Sequence, residues 1–115
     1  MQQSALSPVY FCAVEPDCER VVVRVGGELD LSVAADVGAR IGELLDAGLG
    51  RIVVDLSGVT FIDSAGIHML VAAQRTAERD DAALSLVAVP LLVRRVLDLT
   101  GAASLLAIDA AGVPA

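Results

Sequence analysis

Apolar and polar positions along this chain follow two rhythms, and the places where the rhythm changes mark its elements. Val9–Val14 reads as a strand that turns at the Glu15-Pro-Asp-Cys-Glu19 cluster. Arg20–Val25, rich in β-branched side chains, reads as a second strand closed by Gly26-Gly27. From Ser32 to Ala47 the apolar residues Val33, Val37, Ile41, Leu44 and Leu45 share one helical face, with Ser32 as the expected cap and Gly48 and Gly50 as stops. Arg51–Leu56 is a short apolar run of the kind buried on both sides of a sheet. A second helix opens at Ser64 and continues to about Arg79, where Asp80-Asp81 stops it. Ala83–Val89 is a further strand, Pro90–Leu99 a short helix with Pro90 near its first turn, and Leu105–Ile108 a last strand.

The order β-β-α-β-α-β-α-β predicts an α/β domain: a mixed or largely parallel β-sheet packed with α-helices. Residues 9–108 form that domain, with Met1–Pro8 as a loose arm and residues 109–115 as a tail. At 115 residues, one such domain buries roughly two thirds of the surface its unfolded chain exposes.

Charge and composition narrow the function classes. The formal net charge is −7, every basic residue is Arg, and the aromatics are only Tyr10, Phe11 and Phe61. Nucleic-acid binders need basic grooves and stacking platforms, and anionic membranes attract basic segments, so neither is an expected partner. No apolar run approaches the ~20 residues that cross a bilayer, and the N-terminus has no basic segment leading into an apolar one, so the chain reads as cytoplasmic. Cys12 and Cys18 match no metal or redox spacing, and a lone His68 supplies no metal-site partner. Gly26-Gly27 lacks the lysine and spacing of a phosphate loop, so no nucleotide or other cofactor is expected.

The helix that opens at Ser64 carries the candidate chemistry. A helix start has unpaired N–H groups and a partial positive charge, which favour a phosphate or another anion. On a helical wheel His68, Ala72, Arg75 and Arg79 lie within about a quarter turn of Ser64. Gly66, Met69, Leu70, Ala73 and Ala77 lie opposite as the expected core stripe, with Ile67 and Val71 at the edge of the Ser64 face. Apolar Val71 beside polar His68 and Arg75 suits a surface that docks a protein. Asp63 has two readings, a helix cap or a direct part in phosphorylation. As a catalytic acid behind His68 it is poorly placed, being five residues away and so about 140° around the helix. Glu28 and Asp30 also have two readings, as part of the docking surface or as turn and cap residues. Arg94 and Arg95 read as the solvated face of the last helix.

Three segments taken together resemble a known family. Gly27-Glu-Leu-Asp30 before one helix, Asp55-Leu-Ser-Gly-Val-Thr-Phe-Ile-Asp-Ser-Ala-Gly66 into the next, and Val93-Arg-Arg-Val-Leu-Asp-Leu-Thr-Gly101 in the third resemble the STAS domain. Within it they look most like the single-domain bacterial anti-sigma factor antagonists. The resemblance implies a partner-switching protein and not an enzyme. It would bind an anti-sigma factor that is also a serine kinase and so release a sigma factor. The kinase would then phosphorylate the serine of the family's Asp-Ser-Ser/Thr-Gly motif, and a serine phosphatase would reset it. That serine falls on Ser64, with Asp63 before it, Ala65 in place of the second hydroxyl, and Gly66 closing the motif. The threonine that often caps the first helix is replaced by Val33, with Ser32 one place earlier. The alternative under the same resemblance is a STAS subunit bound constitutively to a transporter or a larger signalling assembly.

Overall fold

The computed structural model describes residues 10–17 and 20–109; the expected arm, most of the tail, Val9 and Cys18 lie outside them. The chain builds strands β1 (Tyr10–Asp17) and β2 (Arg20–Leu29), helix α1 (Leu31–Asp46), strand β3 (Arg51–Ile62), helix α2 (Ser64–Arg79), strand β4 (Ala83–Val87), helix α3 (Leu91–Thr100), a 3-10 turn (Ala102–Leu105) and strand β5 (Ile108–Asp109). The five strands form one sheet in the order β1-β2-β3-β4-β5. β1 runs antiparallel to β2, and β2 through β5 are mutually parallel. The sheet is therefore mixed, as the element order requires.

Strand alternation decides where the core sits. Val21, Val23 and Val25 of β2, Ile52, Val54 and Leu56 of β3, and Leu84 and Leu86 of β4 point to one face. There they meet Val37 and Ile41 of α1, Leu70 of α2 and Leu97 of α3 in a single cluster. Val22, Val53 and Val87 point the other way and form a second, small cluster. Next to it on that face, Arg24 and Asp55 face each other across the β2–β3 ladder, Nη1 to Oδ2 at 2.6 Å. The Asp55 side chain is only 5% exposed, and its other oxygen accepts the Ser57 N–H at 2.8 Å.

That second bond explains why two strands run further than expected. The sequence pattern predicts strands over Arg51–Leu56 and over Arg20–Val25, the latter closed by Gly26-Gly27. Both strands continue, to Ile62 and Leu29. The β2–β3 register shifts between Arg24 and Gly26 and again between Gly27 and Glu28, so β3 carries extra residues as bulges. Asp55 holds the first of these bulges, and the re-aimed ends of β2 and β3 deliver the chain into α1 and α2 side by side.

The last expected strand is also corrected. Leu105 closes a 3-10 turn, and the strand is reduced to Ile108–Asp109. α3 ends on Gly101 at φ +82°, a left-handed geometry that glycine adopts without strain, and the chain leaves it directly into the 3-10 turn. The turn buries Ala102 and Leu106 and leaves Leu105 half out.

Candidate functional site

β2 and β3 are each followed by an aspartate that caps the next helix. Asp63 sits in extended geometry at the α2 N-cap, and its Oδ1 accepts the Gly66 N–H at 3.0 Å. Asp30 does the same for α1, with Oδ1 accepting from the Val33 N–H at 3.2 Å. The Ser32 hydroxyl donates to the same Asp30 oxygen at 3.0 Å. Ser32 was the expected cap of α1; the cap is Asp30, and Ser32 is an exposed helical residue that braces it. A carboxylate beats a hydroxyl here because it sits one residue before the helix, in the extended conformation a cap requires. The Val33 amide, and after it the Ser32 hydroxyl, hold the Asp30 carboxyl below the usual aspartate range. Of the two readings of Asp30 and Asp63, the geometry supplies the capping one for both.

The two corners are joined. The Asp63 N–H donates to the Leu29 carbonyl at 3.3 Å, and Glu28 and Leu29 pair with Phe61 and Ile62 across the ladder. Gly66 is buried against this junction. A Cβ placed on it would lie 2.5 Å from the Leu29 oxygen and 2.8 Å from Ile62 Cγ1. Only hydrogen fits there, so the glycine is a packing requirement of the β2 end against the start of α2. Glu28 is exposed on the same corner.

Ser64 is the first residue of α2 and is exposed. Among the described residues its hydroxyl makes no hydrogen bond. Asp63 takes the Gly66 N–H through its side chain and the Ile67 N–H through its carbonyl. The N–H groups of Ser64 and Ala65 remain as donors at the positive end of the helix. The arrangement offers a free hydroxyl, accessible to a partner's chemistry, at a place that tolerates a phosphate.

Two grooves flank the exposed ridge of α2. The larger, about 570 Å³, is lined by Ser64, His68, Val71 and Arg75 of α2 and by Gly101 and Leu105 from the end of α3 and the 3-10 turn. The other separates α2 from α1 and is lined by Ala65, His68 and Met69 opposite Leu31, Ala35 and Gly38. His68 borders both, and Leu31 stands 74% exposed at the rim of the second. Ser64, His68, Val71 and Arg75 thus share one surface, as the wheel predicts.

Ile67 departs from its expected place. It is buried and joins the core, forming floor and not rim of the larger groove. The buried stripe of α2 is Gly66, Ile67, Leu70, Gln74 and Ala77, while Met69 and Ala73 are half-exposed. The helix is rolled so that Ile67 turns inward, into the same core cluster as Ala102 of the 3-10 turn. Gln74, which the apolar pattern passed over, is the polar member of that stripe: Oε1 accepts the Ala107 N–H at 3.2 Å and so ties α2 to the segment leading into β5. Its spacing of seven from Ile67 and four from Leu70 was the available signal. Arg94 and Arg95 are exposed, with Arg94 Nε donating to Asp98 at 3.1 Å.

Comparison with known proteins agrees with this geometry. The family profile described as "Mlab, STAS domain" matches residues 12–108. The anti-sigma-F factor antagonist RsfB of Mycobacterium tuberculosis is 41% identical over 51 residues, a match covering 44% of this chain and 42% of that protein, so the match spans about two fifths of the relative's length. An anti-sigma-B factor antagonist of Staphylococcus epidermidis is 26% identical over 87 residues, covering 76% of this chain and 81% of the relative. The crystal structure of an anti-sigma factor antagonist from Mycobacterium paratuberculosis superposes with a TM-score of 0.74 at 30% identity, covering 86% of this chain and 84% of that one. The chain belongs to the STAS domain family, with anti-sigma factor antagonists among its relatives.

Proposed function

We propose that this protein is an anti-sigma factor antagonist that binds an anti-sigma factor with serine kinase activity and so frees a sigma factor, and that phosphorylation of Ser64 breaks the complex. A serine phosphatase acting on phosphorylated Ser64 restores binding. The observation that carries the reading is the free, exposed hydroxyl of Ser64 at the start of α2, on a ridge flanked by two grooves lined largely by apolar side chains. Asp63, the nearest candidate for assisting chemistry, spends its carboxylate on the Gly66 N–H. The chain supplies the acceptor and the docking surface; the kinase supplies the nucleotide and its metal.

The energetics suit a local switch. A phosphate adds about −1.5 to −2 charges, and physiological salt confines its field to ~8 Å. Against a net −7 it changes little at long range, so it acts only within the docked surface. Burying it there unpaired costs several kcal/mol, whereas ~2.7 kcal/mol is enough for a hundredfold loss of affinity. In the free protein the helix start favours the charge by roughly 0.3–1 kcal/mol, so the fold survives the modification.

The test begins with intact mass and phosphate mapping of the protein from its native cells, where a species about 80 Da heavier mapped to Ser64 is expected. Ser64→Asp should lose the kinase, and Ser64→Ala should bind it and resist release. Equal binding by wild type and both variants would remove Ser64 as the switch.

A further inference from the structure

We propose that the groove between α2 and the 3-10 turn receives an acidic, apolar segment of the anti-sigma factor, so that the docking surface runs the length of α2 from Ser64 to Arg75 and across to Leu105. The assignment takes the partner-switching role of Ser64 as given and adds where, and by what chemistry, the partner is held.

Charge argues first. The chain carries −7, yet no acidic side chain lines this groove; its charged member is Arg75. Among the described residues the Arg75 guanidinium pairs with no carboxylate. A locally positive groove on an acidic protein selects an anionic occupant from solution. The floor and far wall are apolar, built from Ile67, Val71, Ala102 and Leu105, and Leu105 is 51% exposed with nothing described covering it. An occupant that satisfies both sets of groups is amphipathic, with carboxylates flanking aliphatic side chains. The far wall is fixed in place by the bond from the Ala107 N–H to Gln74, so the groove is formed before the partner arrives. A volume of about 570 Å³ suits the side chains of such a segment.

Distance then divides the labour. Arg75 lies eleven positions after Ser64, or about 16 Å along the helix, twice the ~8 Å over which salt lets a charge act. Arg75 anchors the segment at one end, and a phosphate on Ser64 repels its carboxylates at the other. Changes at two such separated points contribute independently to affinity.

The experiment is calorimetric titration of the purified kinase, once identified by capture on the Ser64→Ala protein, against the full chain and its variants. Arg75→Glu and Leu105→Ser are each expected to weaken binding tenfold or more; the melting curve should be unchanged for exposed Arg75 and shift by only a few degrees for half-exposed Leu105, with both variants folded at the temperature of the titration. Arg75→Lys should stay within threefold. Arg51→Glu, at the opposite end of β3 from Ser64, makes the same change in net charge and should leave binding unchanged. Combining Arg75→Glu with Ser64→Asp should multiply the two losses. If Arg75→Glu and Leu105→Ser bind like wild type while Ser64→Asp does not, the groove assignment is wrong and the switch stands. If Ser64→Asp also binds like wild type, the partner-switching reading itself fails. Tighter binding by Arg75→Glu would show a basic occupant and overturn the proposal. So would a dimer of this chain, seen by sedimentation, that Arg75→Glu dissociates without affecting the kinase.

Discussion

Replacing Gly66 by alanine adds one methyl group at the junction that positions Ser64, and the structure sets its consequence. The new carbon would lie 2.5 Å from the Leu29 carbonyl oxygen, 2.8 Å from Ile62 Cγ1 and 3.1 Å from Leu29 Cγ. Ordinary contact begins near ~3.3 Å, so close to an ångström must be found. Two of the three atoms are side-chain carbons that give a little, but the nearest is backbone, and that carbonyl also receives the Asp63 N–H. The start of α2 has to lift away from the end of β2. Overpacking of this kind costs about 1–3 kcal/mol, and disturbing the Asp63 cap adds up to ~1 kcal/mol. The better helix propensity of alanine returns at most ~1 kcal/mol. The expected net loss is about 1–3 kcal/mol, or a fall in Tm of roughly 4–12 °C for a domain of this size. Urea denaturation followed by circular dichroism measures it. Gly42→Ala in α1 is the internal comparison, because a Cβ there meets nothing within 4 Å; it should gain about 0.4–1 kcal/mol. The same chemical change is thus expected to have opposite signs at two helical glycines. If Gly66→Ala proved as stable as wild type, the tight junction would not exist in solution and the account of the motif would fall with it.

Further outcomes follow from other parts of the molecule. Asp63→Ala should cost about 1 kcal/mol through loss of the α2 cap, whereas Asp63→Asn, which still accepts the Gly66 N–H, should cost a few tenths; chemical denaturation separates them. Gln74→Leu leaves the Ala107 N–H without its acceptor and should cost about 1–3 kcal/mol, with faster amide exchange at Ala107 as the local readout. Asp30 has a folded pKa held below its unfolded one, so its contribution is present above the ordinary aspartate range and is lost as the pH falls through the folded value. Acid titration of stability should therefore lose one component in Asp30→Asn. Burial, partly offset by Arg40, raises the Cys12 thiol, so a thiol reagent at pH 8 should modify it more slowly than a free cysteine, and the difference should vanish in denaturant.

The helices and their order were legible because their apolar residues keep a strict period. α2 is bounded by Ser64 and Arg79 as its pattern predicts, and α1 differs by a single residue at each end. What the pattern concealed depends on contacts between elements. Ser57-Gly58 looks like a turn in isolation, and only Asp55, holding the Ser57 N–H while facing Arg24, keeps the strand going through it. Leu105 and Leu106 look equivalent in a run of apolar residues, yet the left-handed Gly101 turns one outward and the other inward. The face of α2 was read correctly around Ser64, His68 and Arg75. Its inner side lies further from Met69 than the wheel predicts, because nothing local announces that Ile67 will pack into the core with Ala102 of the 3-10 turn. At the Ser64 corner itself, the residue types offered Asp63 and Asp30 as caps beside other roles, and only the bonds to Gly66 and Val33 single out capping.

The close approach of Gly66 to Leu29 bears on how this segment tolerates sequence drift. In Asp63-Ser64-Ala65-Gly66 the first residue caps a helix and the last makes room for a neighbouring strand, while the hydroxyl between them makes no hydrogen bond among the described residues. Two of the four positions are therefore constrained by the scaffold alone, and would stay fixed in a descendant that had lost every trace of phosphorylation. A spacing of Asp-x-x-Gly signals the corner, whereas the serine alone carries the switch proposed above. Under the proposed switch, a descendant with Ser64 replaced and Asp63 and Gly66 intact should keep its fold and lose only its means of release.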